Sequence, residues 1–282
     1  MYPRILTVQD ISCVGQCSMT VALPILSACG AETCILPSAV LSTHTGGFSG
    51  FTFRDLSEDV EGILAHWEKE NIRFDCIYTG YLGNCEDVKN VLLIAEKLLV
   101  PGGKLIVDPA MADHGKLYYG FDEVYVEAMR RLAEKADILL PNATEAAFLL
   151  GIPYEEADRE EERKALAKCL AERFGADVVL TGIGFAAEKT GALVLEKGEF
   201  FHYTHRRVDQ NFHGTGDVYS SAFTGALMQG KTIRESAAIA ADFTLFCIEN
   251  TVPDPDHWYG VKFETALPAL IRVLFPEETK NA

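Results

Sequence analysis

The chain has 282 residues, 48% of them hydrophobic and 23% charged, a globular composition long enough to bury a large core. Lys and Arg total 25 against 41 Asp and Glu, a net charge of −16 that argues against nucleic acid or an anionic membrane as a partner. A phosphorylated ligand would therefore have to be held locally, by backbone amides, a few cations and a metal. No run approaches the ~18 apolar residues of a membrane span. Met1 to Asp10 carries one basic residue and a short apolar run, the pattern of a buried strand and not of a signal peptide. The eight cysteines include no C-x-x-C pair, and several sit inside apolar runs such as Thr33-Cys34-Ile35-Leu36. They read as reduced thiols of a cytoplasmic protein, and Cys13 with Cys17 lacks the second ligand pair a zinc site needs.

Short apolar runs alternate with longer amphipathic ones. The expected elements are a strand over 4–8, a helix over 16–28 and a strand over 32–40, then a Gly/Ser/Thr-rich loop over 41–53. A helix follows over 57–70, a strand over 74–79 and a helix over 87–99. Pro101-Gly102-Gly103 turns the chain into a strand over 104–107. A helix over 122–134, a strand over 137–140 and helices over 143–150 and 160–174 lead to a strand over 177–181. Residues 191–195 and 200–204 flank Glu196-Lys197-Gly198-Glu199 and read as an antiparallel hairpin. Helices over 217–229, 233–249 and 262–274 close the chain. This alternation predicts a three-layer αβα fold, a mostly parallel central sheet with helices on both faces and an antiparallel edge hairpin. No repeat or long linker divides it, so one domain over 1–282 is expected.

In such a sheet, ligands bind beyond the carboxyl ends of the strands. The residues found there are Gln9, Asp10 and Ser12; Thr43 to Gly47; Gly80 and Tyr81; Asp108 and Asp113; Asn142 and Glu145; and Thr181 and Gly182. Gly225 to Thr232 matches G-x-x-x-x-G-K-T, but it continues a helical run. Gly230 reads as a C-cap, and Thr232 with Glu235 as a capping box opening the next helix. A P-loop needs a strand before the glycines. His213-Gly214-Thr215-Gly216-Asp217 is different. Two glycines straddle a threonine just before a small-residue helix, letting backbone amides converge where the helix dipole favours an anion. Asp217 alone also suits a first-turn carboxylate, but that reading leaves the glycines unexplained.

G-T-G-D opening a late helix in a βα-alternating chain resembles the ribokinase superfamily, over nearly the whole length. Thr43-His44-Thr45-Gly46, Thr79-Gly80-Tyr81-Leu82-Gly83 and Asp108-Pro109-Ala110-Met111-Ala112-Asp113 resemble segments of its pyridoxal kinase branch. Pro141-Asn142-Ala143-Thr144-Glu145 resembles the P-N-x-x-E motif of the wider superfamily. The similar hydroxymethylpyrimidine kinases usually carry G-T-G-C where this chain has Asp217. Two departures touch the ring pocket: Asp10 stands where the family has serine, and Thr43 where it has asparagine. Strand two follows strand one too closely to admit the β-rich lid of the sugar kinases.

The resemblance implies ATP-dependent phosphorylation of the 5′-hydroxymethyl group of a B6 vitamer, pyridoxal, pyridoxamine or pyridoxine. It implies Asp217 as general base, with the amides of Gly214, Thr215 and Gly216 around the transferring phosphoryl. Asp108, Asp113 and Glu145 are the expected Mg²⁺ residues, directly or through water, although Glu145 also suits a first-turn helix carboxylate. A K⁺ ion near the cradle is a further implication. Tyr81, Thr45, His44, Ser12 and Asp10 are the ring-side candidates, Asp10 for a ring nitrogen's proton or an amine. Asn142, Thr181, Gly182, Gly214, Gly216 and Arg207 are the ATP-side candidates, although Arg206-Arg207 equally suits a solvated surface. A homodimer is expected from the resemblance alone. The readings set beside it are a hydroxymethylpyrimidine or other small-alcohol kinase of the same fold, and a non-catalytic B6-binding regulator. A nicotinamide dehydrogenase is disfavoured because no G-x-G-x-x-G follows strand one.

Overall fold

The computed structural model describes residues 2–156, 159–210 and 212–276. The chain runs β1 (Arg4–Ser12), α1 (Met19–Ala28), β2 (Glu32–Leu41), β3 (Phe53–Asp55), α2 (Val60–Lys69), β4 (Phe74–Thr79), α3 (Cys85–Leu98) and β5 (Leu99–Val107). The short hairpin β6 (Ala112–Asp113) and β7 (Lys116–Leu117) follows, then α4 (Glu123–Ala133), β8 (Ile138–Leu139), α5 (Ala143–Leu150) and α6 (Glu160–Phe174). The last part holds β9 (Asp177–Thr181), β10 (Lys189–Glu196), β11 (Glu199–Arg206), α7 (Thr215–Met228), α8 (Ile233–Thr251) and α9 (Leu267–Leu274).

Nine strands form one sheet in the order β11-β10-β9-β8-β5-β4-β1-β2-β3. From β2 through β9 neighbouring strands pair in parallel, while β3, β10 and β11 are antiparallel to their neighbours. Side chains alternate between two cores, as a strand's period of two requires. In β5, Leu105 and Val107 face the core under α2 to α6, whereas Ile106 faces the core under α1, α7, α8 and α9. The expected three-layer αβα architecture is therefore present. Between β1 and β2 the chain holds only α1 as a regular element, with no inserted sheet. Strand order reverses at β1 and β4, so a crevice opens beyond their carboxyl ends, the usual ligand position in a doubly wound sheet.

Local chemistry explains most boundaries. Asn84 and Asp122 cap α3 and α4 with their side-chain oxygens, and Asn142–Glu145 and Thr232–Glu235 form full capping boxes. The G-x-x-x-x-G-K-T run thus spans the end of α7 and the start of α8, as a helix-turn-helix joint.

Elsewhere the structure departs from expectation. β1 continues to Ser12, so Asp10 and Ser12 lie on the strand itself. The register shifts between Gln9 and Ile11, where β2 places one extra residue opposite. The expected loop over 41–53 ends in β3, whose Phe53 pairs with Leu41. Pro101-Gly102-Gly103 lies within β5, which leaves α3 directly and pairs Leu99 with Phe74. α1 begins at Met19 because Gly15 and Ser18 both hold positive φ. α9 begins at Leu267, with a proline in its first turn, because residues 261–266 are tied into turns. Cys13, Cys17 and the other six cysteines are all free thiols. Among the described residues no helix is long and apolar enough to cross a membrane.

Candidate active site

Two cavities meet beyond the sheet's carboxyl edge. The first, about 420 Å³, collects Asp10, Ser12, His44, Thr45, Tyr81 and Asp217. The second, about 380 Å³, collects Gly182, Gly191, Phe212, Thr215, Thr244 and Ile248. Asp113, Tyr118, Asn142, Thr181, His213, Gly214 and Gly216 line both and form a common wall.

Gly214 opens that wall. Its φ of 75° is left-handed, and a Cβ there would lie 1.8 Å from the carbonyl oxygen of Gln16, so the position demands glycine. α7 starts one residue later, with no side chain capping its first amides. Those N–H groups have no partner within the helix and are presented to the wall. A Cβ at Gly216 would meet nothing within 4 Å. The third helical residue is Asp217. Desolvation pushes its carboxyl up to about 7, the amide of Ser18 pulls it down, and the charges of Asp108 and Asp10 push it up further.

Ser18 was not singled out by the sequence. It is buried and held at φ 53° and ψ −129°, a strained backbone for a residue with a side chain. Its hydroxyl lowers the carboxyl of Asp10 and its amide that of Asp217, so one residue bears on carboxylates from both β1 and α7.

On the ring side, Asp10 is almost fully buried and accepts a 2.9 Å hydrogen bond from the Ser12 hydroxyl. Burial raises its carboxyl, and no cation among the described residues pairs with it. Tyr81 stacks on Phe121 at 5.3 Å, and Phe121 on Tyr125 at 3.8 Å, which fixes a flat wall. Nδ1 of His44 accepts from the Gly46 amide, and Nε2 donates to the carbonyl of Tyr259. That pair of bonds sets the tautomer, and burial lowers the ring's proton affinity.

Asp108 accepts from the Ser220 hydroxyl at 2.6 Å and from the Ala110 amide, and burial raises it to about 6. Glu145 uses one oxygen on the amide of Met111 and the other on the amide of Asn142, both at 2.9 Å. Burial and the nearby Asp108 push its carboxyl well above the usual range. Asp113 lies exposed at the wall. Among the described residues no group of three or more His, Cys, Asp or Glu side chains converges as a metal-ligand cluster. The donor set is nonetheless all oxygen, and its two buried carboxylates lack a cation. That suits a hard ion such as Mg²⁺ that keeps several waters, and not a soft metal in a closed cage.

Of the ATP-side candidates, Asn142 caps α5 and its amide donates to the carbonyl of Ala112. Thr181 and Gly182 are at the second cavity, but Arg207 lines neither. It is exposed, and its backbone N–H is tied to the carbonyl of Glu188. His205, on the strand before it, lines the second cavity instead. Sequence reasoning also missed Tyr118 and Tyr119, which follow β7, the former lining both cavities and the latter the first, and Ser220, which holds Asp108.

The phosphomethylpyrimidine kinase family model matches residues 26–260, most of the chain. The chain belongs to this kinase family. A Bacteroides thetaiotaomicron protein assigned to the phosphomethylpyrimidine kinases and crystallised with pyridoxal is 34% identical, with a TM-score of 0.90 over 96% of each chain. The pyridoxal kinase of Lactobacillus plantarum is 31% identical, with a TM-score of 0.90 over 98% of this chain and 99% of that one. The hydroxymethylpyrimidine/phosphomethylpyrimidine kinase of Bacillus subtilis is 27% identical over 222 residues, 76% of this chain and 78% of its own. The chain is thus a kinase of the ribokinase-like fold whose relatives include both pyridoxal and pyrimidine kinases.

Proposed function

We propose that this kinase transfers the γ-phosphoryl group of ATP to the 5′-hydroxymethyl group of a B6 vitamer. The observation that carries the reading is Asp217, at the start of α7, lining the first cavity directly behind the glycine wall that the second cavity shares. The alcohol lies in the first cavity and the nucleotide in the second. Asp217 accepts the hydroxyl proton as the new P–O bond forms, and a carboxyl poised near neutrality suits that task. The amides at Gly214, Thr215 and Gly216 bear on the charge of the transferring group. Tyr81 supplies the face for the ring, while Thr45 and Ser12 supply hydroxyls at its edge. Asp10, a buried carboxylate without a cation, suits a protonated ring nitrogen or the amine of pyridoxamine. Thr181 and Gly182 border the phosphates. Asp108, Asp113 and Glu145 would hold Mg²⁺, in part through water, and Asn142 would orient such a water. The ion would neutralise phosphate charge beside the acidic residues. The same reading includes a K⁺ ion near the cradle and a cytoplasmic homodimer.

A second reading, phosphorylation of hydroxymethylpyrimidine, is favoured by the family model and by the Bacillus subtilis relative. A coupled assay with Mg²⁺ and K⁺ separates the two, run in parallel on pyridoxal, pyridoxamine, pyridoxine, hydroxymethylpyrimidine and ribose. The proposal expects turnover of a B6 vitamer above the pyrimidine. Turnover of the pyrimidine alone overturns the ring-pocket assignment and leaves the phosphate side intact.

A further inference from the structure

The two cavities are lined by the carboxylates of Asp10, Asp108, Asp113, Glu145 and Asp217, and among the described residues by no lysine or arginine. A nucleoside triphosphate brings further negative charge into this setting. Backbone amides, a metal and neutral donors such as Thr181 and Tyr118 meet part of the demand, and the lining side chains able to carry positive charge are histidines. His44 has both ring nitrogens engaged, on Gly46 and Tyr259. His205 lines only the nucleotide side, and its Nδ1 is bound to the carbonyl of Arg206. His213 is the histidine on the common wall. No hydrogen bond to a described residue occupies its ring, which is exposed to the cavities.

The ring's place is also fixed. It lies 5.2 Å from the ring of His44. A Cβ added to Gly46 would come within 2.6 Å of its Nδ1, so the glycine is what admits the imidazole. His213 directly precedes Gly214, so the ring stands at the entrance of the cradle. An imidazole pinned on one side and unbonded, at the junction of an acceptor cavity and a donor cavity, is oriented for the group that crosses between them.

We propose that His213 contacts the γ-phosphoryl group, donating an N–H, assigned here to Nε2, to a non-bridging oxygen as the group passes from the nucleotide to the acceptor alcohol. The chemistry balances without a proton from the histidine. The bond from phosphorus to the β,γ-bridging oxygen breaks, the bond to the alcohol oxygen forms, and the alcohol proton goes to Asp217. The inference rests on the phosphoryl-transfer reading above but not on which alcohol is the substrate.

The test compares wild type with His213→Phe, which keeps an aromatic ring beside His44 and removes the donor, and with His213→Gln, which keeps an N–H. Affinities for ADP and for the non-hydrolysable analogue AMP-PCP are measured on the full chain at fixed Mg²⁺. His213→Phe is expected to weaken AMP-PCP roughly tenfold while ADP stays within about twofold, since only the analogue carries a γ-phosphate. kcat should fall roughly 10²-fold, the size of one lost oxyanion donor. His213→Gln should recover most of both. Equal weakening of ADP and AMP-PCP with a lower Tm would make His213 a packing residue and overturn the proposal, as would an unchanged affinity ratio with kcat within threefold. If wild type phosphorylates no vitamer yet binds AMP-PCP in a manner that His213→Phe impairs, the vitamer reading fails and this one stands.

Discussion

Replacing Asp217 with asparagine preserves the side chain's volume while removing the proton acceptor. The carboxyl titrates near 7 because it is desolvated and faces the charges of Asp108 and Asp10. Only its ionised form can take the alcohol's proton, so activity should rise with pH through that value. A group with this pKa is about one-tenth ionised at pH 6 and about nine-tenths at pH 8, roughly a ninefold gain in rate. The assay is kcat/KM at limiting ATP and vitamer, where the ionisation of the free enzyme is read. Wild type should trace a single limb of unit slope below pH 7. Asp217→Asn should lose about 10²- to 10⁴-fold and show no limb, while its affinity for ADP survives. A variant within tenfold of wild type, or a wild-type profile flat from pH 6 to 8, would refute the assignment of Asp217 as base.

Gly214→Ala must place a Cβ 1.8 Å from the Gln16 carbonyl in a left-handed conformation. It should lower stability by about 1–3 kcal/mol or more, read by chemical denaturation, and should abolish turnover even where the fold survives. Asp87 lies outside the site, is raised to about 7 by burial and by Asp55, and accepts from the amide of Gly83. A carboxyl that binds its proton more tightly when folded costs stability as pH rises from its ordinary 3.8 through 7, by at most about 4 kcal/mol. Asp87→Asn should therefore stabilise the protein above pH 7 and leave it unchanged below pH 4, as followed by urea denaturation at both pH values.

The parts of the site that the sequence spells out are those whose chemistry is local. Gly214, Gly216 and Asp217 announce a cradle because glycines before a small-residue helix have few other uses. Asp108, Asn142 and Glu145 are recoverable because they follow buried strands, and a sheet presents its carboxyl ends to one crevice. Ser18 carries no such mark, since its conformation is imposed by the packing of the 15–18 segment against Gly214. β3 is three exposed residues without alternation, and only its partner β2 makes it a strand. The second cavity draws Phe212, Thr244 and Ile248 from segments far apart in sequence. Arg207 is not legible for the opposite reason, because a pair of arginines after a hairpin reads the same way in a flap as on a solvated surface.

The common wall also fixes a stereochemical outcome for the proposed transfer. In that transfer the acceptor oxygen and the leaving oxygen would occupy separate cavities and meet phosphorus across the glycine-rich segment that both cavities share. Attack and departure then lie on opposite faces of the phosphorus atom, in line. A γ-phosphoryl group made chiral with oxygen isotopes would leave with inverted configuration, as a single direct displacement requires. A route through a phosphorylated side chain would invert twice and return the original hand.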